Sequence, residues 1–374
     1  MRIVIFCHSL ASDWNHGNAH FLRGVCSELV ARGHDVSVYE PHDAWSARNL
    51  VAEAGERALD GYRAVYPHLH SIRYDPKRLD LDRALDRADV VLVHEWNSHD
   101  LVRRLGARRA HGGRFTLFFH DTHHRSVSET EAMAAYDLEH YDGVLAFGEV
   151  IRERYHARGW ARRAWTWHEA ADARVFTPLI AERHGDLVWI GNWGDDERSA
   201  ELRAYLIAPV ADLQLRARVH GVRYPSVARD ELRAAGIDYA GWLPNYRAPG
   251  VLAEFRVTIH VPRRPYVDAL PGIPTIRVFE ALACGIPLVS CWWDDCEGLF
   301  TCGRDFLMVR TPAEMRRALR DVLSDADLAA ALAEHGRRTV LARHTCAHRV
   351  DELLSIAAGI RDEQPIPASR VALS

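Results

Sequence analysis

Between Pro271 and Ser290 the chain sets a turn, a helix start and one carboxylate in the order a phosphate seat requires. Pro271-Gly272 and Pro274 flank Ile273, and neither proline can continue a ladder or a helix, so the chain turns there. Pro274 suits the first helical position, where its missing amide hydrogen would be unpaired anyway. The amides of Thr275, Ile276 and Arg277 then face outward at the positive end of the helix dipole, where an anion binds. Glu280 follows within two turns, and its carboxylate can accept hydrogen bonds from sugar hydroxyls beside a diphosphate. Gly285 ends the helix, and Ile286-Pro287 leads into a buried strand at Leu288–Ser290. These groups together suit a sugar nucleotide.

A second set of polar residues sits at strand ends. His120-Asp121-Thr122-His123-His124 ends a strand and points to a cleft, where imidazole and carboxylate orient hydroxyls or stabilise charge. Asp121 or His123 would be the base of an inverting enzyme. The alternative is structural, with the same residues capping the strand and the next helix, and the functional reading is the better of the two. Their spacing lacks a partner ligand pair, so no metal is expected. The loop Ser9–His20 offers Asp13, Asn15, His16 and Asn18, with Gly17 for close approach. It carries no Gly-x-Gly-x-x-Gly fingerprint, which argues against a nicotinamide cofactor. His94-Glu95-Trp96-Asn97 sets a carboxylate beside an aromatic face that suits a sugar or another acceptor, or a buried core. Gly191, Asn192, Arg198, Arg263 and Arg264 also follow strands, and a guanidinium can bridge two phosphate oxygens. Cys291, Cys296 and Cys302 match no zinc spacing and read as packing residues.

These groups need elements to hold them, and the chain supplies alternating strands and helices from end to end, the pattern of parallel α/β layers. Strands are expected at Arg2–Cys7, Asp35–Glu40, Val90–His94, Phe115–His120, Gly143–Phe147 and Ala164–Trp167. After a break near Glu169–Pro178 they resume at Asp186–Gly191, Leu215–His220, Val257–Val261, Leu288–Ser290 and Phe306–Val309. Helices are expected at Asn18–Arg32, Thr130–His140, Val150–Arg158, Pro312–Leu323, Leu328–Leu341 and Cys346–Ile360. The tail after Arg361 is Pro-rich and reads as loose. The 374 residues suffice for two domains. A division into 1–172, 173–345 and a crossover helix with its tail at 346–374 follows.

Net charge is −4, so no global field draws the chain to nucleic acid. Eleven scattered tryptophans suit cores and cleft walls better than stacked bases. No apolar run approaches the ~20 residues that cross a bilayer, although peripheral membrane contact stays open. The N-terminus reads as a buried strand and not as a signal peptide. Seven scattered cysteines suggest a reduced, cytoplasmic protein.

Arg277-Val278-Phe279-Glu280-Ala281-Leu282-Ala283-Cys284-Gly285 resembles the C-terminal signature of group-1, family 4-like glycosyltransferases. It is most similar to that of the CgeB-like (spore-maturation) bacterial branch. Arg32-Gly33-His34-Asp35-Val36 and Asp186–Asp196 are similar to further segments of that family, so the resemblance spans most of the chain. It implies the GT-B fold, two Rossmann-like doubly wound domains facing a central cleft, with the last helix returning to the first domain. It implies transfer of a sugar from a nucleotide sugar held by the second domain to an acceptor on the first, which is a glycan, protein or small molecule. Retention of configuration without a metal or other cofactor is expected. His120 would lie near the donor sugar, Glu280 would hold the ribose, and Trp242 would lie beside the base. Arg198, with Arg263 and Arg264, would clamp the diphosphate beside Gly191, Asn192, Thr275 and Ile276. Many members carry a first glutamate where this chain has Gly272, with Asp268 the nearby candidate replacement. A sugar-nucleotide epimerase on the same fold is one alternative. A non-catalytic nucleotide- or carbohydrate-binding protein of a surface or coat assembly is another. A phosphorylase would need a cofactor lysine, and the only lysine is Lys77.

Overall fold

The computed structural model describes residues 1–363, and two all-parallel sheets order the chain. The first contains β1 (Arg2–Phe6), β2 (Asp35–Pro41), β3 (Ser71–Tyr74), β4 (Val90–His94), β5 (Thr116–Asp121), β6 (Gly143–Ala146) and β7 (Ala164–Thr166). Its strand order is β3-β2-β1-β4-β5-β6-β7. The second contains β8 (Gly185–Ile190), β9 (Ala217–His220), β10 (Ile237–Tyr239), β11 (Phe255–His260), β12 (Leu288–Cys291) and β13 (Leu307–Val309), ordered β10-β9-β8-β11-β12-β13. Helices cover both faces, so the central strands are apolar along their whole length. β1 shows the logic. Ile3 and Ile5 face one core with Phe21, Leu22, Val25 and Leu29 of the helix Ala19–Ala31, while Val4 and Phe6 face the other.

β3 and β10 escape the sequence pattern. Both are short edge strands with exposed residues, Ile72 and Arg73 in one and Asp238 in the other. The helix expected over Thr130–His140 stops at Ala134. The Tyr136 hydroxyl donates to the carbonyls of Glu95 and Asn97, and its ring stacks on His99 at 4.2 Å, which draws the chain inward. Pro274 does not open the helix that follows it. Thr275 is the extended N-cap, and Ile276–Ala283 is the helix. The last helix, Cys346–Glu363, runs past Arg361. The rest of the expected loose tail, 364–374, lies outside the described residues.

That last helix lies on Ala19–Ala31. A side chain at Gly24 would meet Cys346 Sγ at 2.4 Å, so only glycine admits this approach. Trp167 Nε1 donates to the Arg349 carbonyl, and Arg349 Nε donates to the His168 carbonyl, each at 2.8 Å. Where the chain passes between the sheets, Ala171 N donates to His344 O and Cys346 N donates to Ala171 O, both at 2.9 Å. No helix among the described residues is long and apolar enough to cross a membrane. All seven cysteines are free.

Candidate active site

The site lies where strand order reverses, between β1 and β4 in the first sheet and between β8 and β11 in the second. Open parallel sheets bind ligands at such points, beyond the carboxyl ends of the strands. The loops after these four strands, with segments after β2, β5, β7 and β9, enclose a cleft of about 830 Å³.

The second-domain wall is cationic. Arg198 donates to the carbonyls of Asn192 (2.6 Å) and Val261 (3.2 Å), and among the described residues no carboxylate pairs with it. Its Nε is shielded from solvent and unpartnered, and its guanidinium lies 5.2 Å from the Trp189 ring. Burial, reinforced by the like charges of Arg263 and Arg277, brings its pKa down to about 9. Arg263 pairs with Glu197 at 2.5 Å, and Arg277 pairs with Glu280. Three guanidinium groups therefore share two carboxylates, an arrangement that invites an anion. Thr275 and Ile276 line the cleft beside them. The Thr275 hydroxyl is positioned by His260 Nε2 at 3.0 Å. Burial lowers the His260 pKa to about 3.

Gly191 and Asn192 also line the cleft. The Asn192 side chain accepts from the Val222 amide at 3.1 Å and donates to Asn15 of the first domain. Trp242 lies outside the main cleft, in an adjoining cavity of about 40 Å³ with Gly221 and Val222, its Nε1 donating to Asp13 at 3.1 Å. Arg264 does not join the arginine group. It is exposed, donates to the Glu197 carbonyl at 3.3 Å, and does not line the cleft.

Glu280 stands behind the wall, 2% exposed. Oε1 accepts from His20 Nδ1 at 2.6 Å and Asn245 Nδ2 at 2.8 Å, while Arg277 bonds Oε2. Burial opposes its ionisation, but the Arg277 charge and these hydrogen bonds prevail and hold its pKa below the usual range. In this state the carboxylate spans the two domains and offers no face to the cleft.

Among the three expected catalytic residues only His123 lines the cleft. β5 runs through Asp121, so His120 and Asp121 are ladder residues paired with Leu145 and Ala146, not loop residues beyond the sheet. Alternation sends them to opposite faces. His120 lies between Phe21, His94 and Trp167 with both ring nitrogens unpartnered, and burial lowers its pKa to about 3. Asp121 accepts from the Tyr155 hydroxyl at 2.9 Å on the other face, where burial raises its pKa to about 6. The His123 ring packs at a tilt against His124 at 4.0 Å and edge-on to Trp96 at 5.4 Å, and burial lowers its pKa well below the usual value.

Gly272 has φ +84°, and a side chain there would meet Glu297 Oε1 at 2.5 Å. Glu297 fills that space, accepting from the Glu149 amide at 2.9 Å and from His168 Nε2 at 2.8 Å. Asp268 is exposed and does not line the cleft.

Sequence reasoning missed Glu169. This cleft-lining carboxyl, 6% exposed, accepts from Asn18 Nδ2 at 2.9 Å. Burial raises its pKa to about 7 against the opposing Asn18, Arg277 and Ile276 amide. Glu169 thus bonds the Ile276 amide, one of those expected to bind an anion. Its place just after the last strand of the first sheet was the available signal. Among the described residues no group of three or more His, Cys, Asp or Glu side chains is arranged to hold a metal ion.

Residues 198–355 match the family model described as glycosyl transferase-like. No curated protein matches the chain. Sucrose-phosphate synthase from Thermosynechococcus elongatus is similar in structure, with TM-score 0.64, 13% identity and coverage of 97% of this chain and 100% of that one. Anabaena HepE in complex with UDP and glucose has TM-score 0.66 at 12% identity, covering 96% and 99%. An alpha-glucosyltransferase in complex with UDP and a DNA 13-mer containing an HMU base has TM-score 0.69 at 12% identity, covering 96% and 99%. These neighbours share the two-sheet architecture across nearly their whole length, and the fold of this chain is GT-B.

Proposed function

We propose that the protein transfers a sugar from a nucleotide-sugar donor to an acceptor, the donor lying against the second domain. The observation that carries this reading is the arginine group at the start of the helix Ile276–Ala283, where Arg198 has no carboxylate partner among the described residues. Negative charge grows on the departing diphosphate in the transition state, and fixed guanidinium groups and amides stabilise it there. The glycosyl transferase-like match over 198–355 covers this wall, and similar structures hold UDP, in one case with glucose. We read the course as retaining, with positive charge supplied by Arg198, Arg263 and Arg277 and not by a metal. Asp121, a candidate base for inversion, is enclosed in the sheet, which leaves His123 as the cleft-lining member of the three.

A thermal-shift series with UDP, GDP, ADP and dTDP tests the reading. At 100 times its dissociation constant a bound nucleotide adds about 2.7 kcal/mol of stability. One diphosphate should raise the melting temperature, and the corresponding nucleotide sugar should be hydrolysed slowly without acceptor. If no diphosphate shifts the transition, the donor site is not there. Stabilisation without hydrolysis would instead mark a binding protein.

A further inference from the structure

We infer that the acceptor is a neutral saccharide, seated on Trp14, Trp45 and Trp96 of the first domain. This rests on the transferase reading above. The lining cations lie on one wall of the cleft: all four arginines, Arg198, Arg223, Arg263 and Arg277, come from the second domain, beside Asp195, Asp196 and Glu197. Among the described residues no arginine or lysine of the first domain lines it, and Glu129 and Glu169 do. An acceptor bearing phosphate, or a nucleic acid strand, needs cations where it lies. The first-domain wall gives it the Glu169 carboxyl and a Glu129 carboxylate already paired with Arg125 Nε at 3.0 Å.

That wall carries three aromatic faces held in place. Trp45 lies 4.8 Å from the His8 ring and meets Trp14 edge-on at 6.1 Å. Trp14 Nε1 donates to Glu53. Trp96 packs at 4.6 Å from the Arg125 guanidinium. Restrained tryptophans supply contact area at low entropic cost. Asn49 lies one turn beyond Trp45 on the helix Trp45–Ala54, so both serve the same face. Together with Ser128 and Glu129 it places polar groups among the rings. A saccharide uses both, setting its C–H faces on the rings and its hydroxyls on the amide, hydroxyl and carboxylate. A flat apolar aglycone would strip water from the Glu129 carboxylate, which Arg125 Nε holds at 3.0 Å, and from the Asn49 amide without replacing it, which is costly. The cleft, about 830 Å³, lies toward the upper end of the ~300–1,000 Å³ usual for small-molecule sites, which leaves room for two substrates.

The test is a printed array of neutral, carboxylated and phosphorylated glycans, probed with the wild-type protein with and without saturating UDP. Hits are then titrated by tryptophan fluorescence, alongside a single-stranded DNA and a flat phenolic aglycone. A neutral glycan should bind, and Trp45→Ala and Trp96→Ala should each weaken it at least tenfold. UDP affinity should stay within twofold in both variants. Trp45→Phe, which keeps an aromatic face, should recover most of the loss and guards against misfolding. Preference for phosphorylated glycans, DNA or the phenol overturns the inference, as do an empty array and glycan binding indifferent to the tryptophans. Neutral-glycan binding without affinity for any nucleoside diphosphate would sink the transferase reading and leave the saccharide site standing.

Discussion

His20 Nδ1 and Glu280 Oε1 meet at 2.6 Å, joining the helix Ala19–Ala31 of the first domain to the helix Ile276–Ala283 of the second. The other ring nitrogen, Nε2, accepts the Asp172 amide at 2.8 Å. The imidazole proton therefore sits on Nδ1 and is donated to the carboxylate. Phe176 stacks on the ring at 3.9 Å and fixes its plane. Glu280→Ala leaves His20, Asn245 and Arg277 without their acceptor. Removing one partner of a buried pair costs about 3–5 kcal/mol. Denaturant unfolding should show a loss of that order, with Glu280→Gln losing less. A Glu280→Ala protein within 1 kcal/mol of wild type would contradict the tie.

Arg198 and Arg264 separate the anion site from the surface around it. Arg198→Ala should weaken nucleoside-diphosphate binding by at least tenfold, about 1.4 kcal/mol, as expected for loss of a charge-assisted contact. Arg264→Ala should leave it within twofold, because that side chain does not line the cleft and bonds the Glu197 backbone carbonyl and the Glu201 carboxylate. Titration calorimetry on both variants decides. Equal losses would mean that the arginines act only through general charge.

His120 is fully buried within the sheet and does not line the cleft. His120→Phe should keep nucleotide binding and turnover within threefold. The substitution removes a buried imidazole whose two nitrogens lack partners, so stability at neutral pH should hold or rise. A hundredfold loss of activity in a folded His120→Phe protein would return His120 to the reaction centre.

Acid should destabilise the protein early. Burial depresses His8 and His220 to about 4, and His16, His120, His260 and His344 to about 3. Unfolded histidines bind protons near pH 6.5 and the folded ones do not. The unfolded state therefore gains protons as pH falls below about 6.5. Stability from these groups is full above that pH and is lost on the way down to 3–4. Each proton contributes up to about 1.4 kcal/mol per pH unit. Melting temperatures at pH 7.5, 6 and 5 should fall steeply, and His120→Phe should flatten the slope by one proton. A level profile would refute the assignment.

Glu169 should make diphosphate binding pH-dependent in the opposite sense. With its pKa raised to about 7, the carboxyl holds its proton in the fold between pH 4.5 and 7. Its own contribution to stability is present below 4.5 and fades as pH approaches 7. Above 7 its charge opposes an anion at Ile276. Relative to Glu169→Gln, the wild type should lose up to about tenfold in affinity between pH 6 and 8. Parallel profiles for the two proteins would remove Glu169 from the anion seat.

Most of the sheet order's raw material was legible, because central strands such as Val90–His94 are continuous apolar runs between helical periods. β3 and β10 were not, since edge strands expose half their residues and lose the pattern. Arg198, Arg263, Thr275 and Ile276 come together as read, because each follows a strand that ends at the cleft. His120 and Asp121 follow the same rule by position, yet the ladder runs one residue past the expected strand and keeps both within the sheet. Glu297 could not be found from sequence. It fills the space at Gly272 from a loop beyond β12, a contact set only by the folded chain.

The bonds at Ala171 have a mechanical consequence. The chain passes between the sheets twice, once after β7 and once before the last helix, and the two passages are stitched together by Ala171 N to His344 O and Cys346 N to Ala171 O. Two tethers clamped at one point act as a staple. Sliding the lobes past one another or drawing them apart at this point would break both bonds.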